Sequence, residues 1–167
     1  MKLALLSLAL AAGGGLPAAH RPTAAVDFYD GSFECYAGPL ALRLPDRYPR
    51  LLSLGKLRRI VNGRAQNYRG YRTIQRTISF DGLSVIVYVF SNDPNRYVLS
   101  RLIISAHGWQ QLTALRIGAP ARSVLLQRDW PAAPTDGTWR MDGDSAHVTL
   151  SLAHGRITLI RYVCDMP

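Results

Sequence analysis

Acidic side chains are scarce in this sequence of 167 residues: ten Asp and one Glu, Glu34, stand against twenty Lys and Arg. A single Glu excludes a paired-Glu acid–base catalyst and leaves only an Asp pair open. Lysine is nearly missing too, since eighteen of the twenty cations are Arg. Arg binds carboxylates and phosphates bidentately, which suits recognition. The same preference, beside abundant Ala and ten Asp to one Glu, also fits the codon usage of a GC-rich genome. Two cysteines exclude a cysteine-dense scaffold, and no Cys-x-x-Cys redox motif occurs. Beyond the N-terminus no apolar run approaches the roughly 20 residues of a transmembrane helix. Gly-x-Ser-x-Gly, P-loop, His-Glu-x-x-His and dinucleotide motifs are absent, so no cofactor is expected. A composition that is 48% hydrophobic excludes a disordered chain.

The opening residues have the three parts of a secretory signal. Lys2 supplies the positive start, Leu3 to Ala12 the apolar stretch, and small residues run from Gly13 to Ala25. Cleavage after Ala18 and after Ala25 both satisfy the small-x-small rule, so residues 1–25 are expected to be a signal and 26–167 one domain. The expected address is periplasmic or secreted. There an even cysteine count implies a disulfide, Cys35 to Cys164, closing a separation of 129 positions. In the chain-entropy account so long a loop contributes about 4–5 kcal/mol.

Charge is distributed unevenly. Between Arg43 and Arg76 lie ten basic residues opposed only by Asp46, a balance of +9, whereas the remainder of residues 26–167 sums to −2. Codon usage does not explain clustering, and such asymmetry points to an anionic partner.

The hydrophobic pattern predicts an α+β fold, with helices packed on antiparallel sheet. Leu51, Leu54, Leu57 and Val61 recur at helical spacing from Pro49 to Val61, with Asn62-Gly63 as the stop. Alternation and tight turns then predict strands over Tyr71–Phe80, Leu83–Phe90 and Tyr97–Ile104. A second short helix is expected from Pro120 to about Arg128, followed by strands Trp139–Met141, His147–Ala153 and Arg156–Val163. Helix plus three strands thus occurs twice, which suggests tandem repeats over 40–106 and 112–164; two unrelated halves give the same pattern.

Leu115-Arg116-Ile117-Gly118-Ala119-Pro120, then Val124-Leu125 and Asp129-Trp130-Pro131, resembles the module of the SmpA/OmlA family, a repeat similar to that of β-lactamase-inhibitor proteins. The resemblance spans roughly residues 112–163. It implies a small exported module that binds other proteins, sometimes as an enzyme inhibitor.

Residues fit for catalysis are few. His147 and His154 are expected to lie across a hairpin, with Asp142 and Asp144 nearby, which leaves a small hydrolase as the least favoured reading. Asp142-Gly143-Asp144 resembles a calcium-loop fragment, but Ala153 stands where the closing Glu belongs, so no metal is expected. Tyr68-Arg69-Gly70-Tyr71-Arg72 interleaves aromatics with cations. An exported chain without a nucleic-acid motif is expected to meet an acidic protein instead, as an inhibitor or immunity factor, or else an anionic envelope glycolipid or cell-wall polymer. The expected contact residues are Arg58, Arg59, Arg69, Tyr71 and Arg72.

Overall fold

In a computed structural model of the chain, the described residues are 40–124, 132–142 and 146–164. Seven antiparallel strands form one sheet: β1 (Leu57–Tyr68), β2 (Tyr71–Phe80), β3 (Leu83–Phe90), β4 (Tyr97–Ile104), β5 (Gly137–Asp142), β6 (Ala146–Ala153) and β7 (Arg156–Cys164). Their spatial order is β1-β2-β3-β4-β7-β6-β5. Two meanders, of four and three strands, therefore meet where β4 pairs with β7. The α+β expectation is overturned, because among the described residues the only helical elements are α1 (Tyr48–Leu52) and a 3-10 turn at Ala121–Ser123. Nor do the two halves each open on a packed helix, as the tandem-unit reading required.

The physical reasons are local. Helical spacing across residues 49–61 is a coincidence of two elements: α1 stops after five residues, and Leu57 to Val61 belong to β1. Gly55 lies between them where Trp109 packs so closely that a Cβ would sit 2.8 Å from its ring. β-branched Ile60 and Val61 then pair with Ile78 and Thr77 in register. Asn62-Gly63 does not stop a helix but lies in a β-bulge, where the register shifts between Asn62 and Ala65. The second expected helix ends early because Val124 is already extended, at φ −71° and ψ 119°; residues 125–131 lie outside the described ones.

One face of the sheet carries the core. Leu83, Val85, Val87 and Val89 of β3 share it with Ala146, Val148, Leu150 and Leu152 of β6. In β4 the buried set changes phase, from Tyr97 and Leu99 to Leu102 and Ile104. The bulge that skips Ser100 absorbs the change, so both halves face inward. Thr158 does the same in β7, between Ile157 and Ile160. The face is covered by residues 40–52, with Leu40, Leu42, Leu44 and Leu51 buried, and by the connection after β4, with Trp109, Leu112 and Leu115 buried.

Backbone and hydroxyl bonds hold both covers down. The Arg43 N–H donates to the Leu112 carbonyl at 2.7 Å and the Tyr48 N–H to the Asn95 carbonyl at 2.7 Å. The Tyr97 hydroxyl donates to the Pro45 carbonyl and the buried Tyr162 hydroxyl to the Leu40 carbonyl. Gly118 and Ile157 close a further pair of bonds, N–H to the Ile157 carbonyl at 2.7 Å and Ile157 N–H to the Ala119 carbonyl at 3.0 Å.

Candidate functional site

The strand whose first five residues fall within the helix expected over 49–61 is the one most open to solvent. β1 lies at the end of the sheet, and ten of its twelve residues are exposed, Ala65 and Gln66 being half-buried. No residue of β1 joins the buried core, and Leu57, Ile60, Val61 and Tyr68 remain 39–44% exposed. That is an unusual placement for neighbouring apolar residues on a sheet edge.

Cations line the same edge. Between positions 56 and 72 stand Lys56, Arg58, Arg59, Arg64, Arg69 and Arg72, with no acidic residue among them. All six are exposed. Arg58 alone of the six is ion-paired among the described residues: its Nε and Nη2 each donate to the Asp81 carboxylate at 2.6 Å. Those hydrogen bonds hold Asp81 below the ordinary aspartate range, Lys56 adding a smaller attraction, and raise Arg58. Two members of the wider basic segment are spent otherwise. Arg50 pairs with Asp46 at 3.3 Å, and Arg76 turns inward, its guanidinium 5.1 Å from the centre of the buried Tyr48 ring. The Arg76 Nε is buried without a hydrogen-bond partner.

Of the expected contact residues, Arg58 and Arg59 open β1, Arg69 forms the tip of the β1–β2 turn, and Tyr71 and Arg72 open β2. They do not gather at one spot. At about 3.3 Å per residue the two groups lie roughly 30–35 Å apart, at opposite ends of one hairpin. Tyr71 stacks on Tyr68, ring centres 5.0 Å apart and planes within 15°, and touches Phe90 at 5.6 Å. Arg96 completes the row over Phe90 at 5.5 Å. The sequence reading passed over Lys56, Arg64 and the exposed Leu57, Ile60 and Val61 as site residues. The signal that could have found them is the β-branched pair Ile60-Val61, set in a stretch with no acidic residue.

The two candidate histidines do not come together. His147 lies on β6 opposite Asp142, while His154 sits in the β6–β7 turn, roughly 23 Å along the strand. His154 has a left-handed φ of 51°, and its N–H donates to Asp136 at 2.6 Å, a turn-forming role. Asp142 accepts from Arg140 Nε at 2.7 Å. Asp144, the carboxylate expected to orient either histidine, lies outside the described residues, as does Cys35. Cys164 is half-buried at the end of β7, and no cysteine among the described residues is free. Among the described residues no cluster of His, Cys, Asp or Glu could hold a metal, and no helix is long and apolar enough to cross a membrane. Compared with family models, with curated proteins and with solved structures, the chain matches none.

Proposed function

We propose that this is an exported, non-enzymatic binding protein that docks an acidic protein partner through the β1–β2 hairpin. The observation that carries the reading is the row of six exposed cations from Lys56 to Arg72, of which one is neutralised within the described residues. Unpaired guanidinium groups on a sheet edge keep their charge and their bidentate donors available to carboxylates. Export rests on the signal-like opening, with Cys35 and Cys164 joined as an oxidising compartment allows; reduction of the intact chain then adds two hydrogens to its mass. An inhibitor or immunity role fits the same surface when the face to be covered is acidic.

The test is binding to an acidic protein and to an anionic polysaccharide across a salt series, with Arg59→Glu/Arg69→Glu beside the wild type. Both replaced side chains are exposed, so folding is retained. Charge reversal is expected to weaken protein binding by about ten-fold or more and to flatten its salt dependence. Unchanged binding overturns the reading, and tighter binding to the polysaccharide than to the protein transfers it to an envelope polymer.

A further inference from the structure

We propose that the outer edge of β1 takes up an extended acidic segment of the partner as an added strand; this rests on the docking reading above and specifies how the docking is done. The two-residue turn Arg69-Gly70 makes Tyr68–Tyr71 a hydrogen-bonded pair, and Asp81-Gly82 does the same for Phe80–Leu83. Counting from either turn gives one answer for β2: its odd-numbered residues bond to β1 and its even-numbered ones to β3. Ile60, Asn62, Ala65 and Asn67 sit opposite Ile78, Arg76, Ile74 and Arg72. Those four residues of β1 therefore turn their N–H and C=O groups outward, away from the sheet. Among the described residues no strand is paired to that side, since β1 ends the sheet order.

The bulge at Gly63–Arg64 divides the edge into two runs, Ile60–Asn62 and Ala65–Asn67. An added strand takes its affinity from such backbone groups and its specificity from the side chains beside them. Here those side chains are Leu57, Ile60 and Val61, which an incoming strand would cover, and Arg59, Arg64 and Arg69 at five-residue intervals. The charge decides the occupant. A second copy of β1 would set one cationic row against another, whereas a strand with alternating carboxylates neutralises it.

The experiment uses a synthetic peptide of alternating Glu and Val, its counterpart N-methylated at alternate residues, and a Lys–Val control, each titrated into the full chain by fluorescence anisotropy. The Glu–Val peptide is expected to bind at low salt, and N-methylation to weaken it by about ten-fold or more, because the bridging donors are lost. Asn67→Pro should weaken it similarly while leaving the melting temperature nearly unchanged, since proline there removes only an outward donor. Should that variant unfold, the N-methylated peptide still decides the question. Equal binding of methylated and unmethylated peptide, with salt dependence kept, overturns strand addition and leaves acidic docking standing. Binding to an acidic protein but to neither Glu peptide has the same meaning. Loss of all acidic binding removes both readings, and a dimer dispersed by Asn67→Pro identifies the occupant as a second copy and overturns this proposal.

Discussion

Asp81 joins three parts of the molecule at one turn. Its carboxylate accepts from Arg58 of β1, its carbonyl accepts from the Trp109 indole at 3.0 Å, and Gly82 beside it accepts from the Ser105 N–H at 2.8 Å. Gly82 has φ +70°, and a Cβ there would lie 2.1 Å from that of Ala106, so the turn admits no other residue without strain. No sequence pattern pairs Arg58 with an acid 23 positions away; proximity came only with the β1–β2–β3 meander. Because folding lowers the Asp81 titration, the ion pair stabilises the fold above the ordinary aspartate range. That contribution disappears as pH falls through the lowered value. Melting temperatures of wild type and Asp81→Asn across a pH series should therefore differ modestly at neutral pH, less so in high salt, and converge in acid. A gap that persists unchanged into acid would remove the pair from the stability of this turn.

At the scale of elements, what patterning could read and what it missed separate cleanly. β2, β3 and β4 begin and end where sequence pattern and short turns place them, and β3 alternates strictly between buried and half-buried residues. β1 defeats the same logic, since neither of its faces is buried, so its side chains carry no period of two. Its apolar residues happen to continue the spacing of α1, and a helix was the natural inference. The bulges at Ser100 and Thr158 were equally invisible: each shifts the buried phase by one residue, and only the partner strand reveals it. The candidate site was legible as charge in sequence but not as an edge in space, because the pairing of β1 with β2 alone fixes which backbone groups point outward. The contrast between strands can be measured. Leu99, fully buried in β4, should cost about 2–5 kcal/mol when cut to Ala. Leu57→Ala on β1 should cost less than about 1 kcal/mol, since much of that side chain is already in water. Urea midpoints report both, and similar losses would mean that β1 is packed as tightly as the interior.

Over the whole molecule, the charge imbalance has a consequence for the state of assembly. A long, open edge strand bearing exposed Leu57, Ile60 and Val61 is a template for pairing with another copy of itself. Two features oppose that outcome: the bulge at Gly63–Arg64, which breaks the run of outward backbone groups, and the cations, which in a paired dimer would face their own kind across about 5 Å. If repulsion is the stronger guard, Arg59→Gln/Arg64→Gln should associate at concentrations where the wild type sediments as a monomer. Raising salt to about 1 M, where screening shortens to about 3 Å, should move the wild type in the same direction. A neutralised protein that stays monomeric at every concentration and salt would assign the guarding to the bulge instead, and would leave the cations with recognition as their one role on this edge.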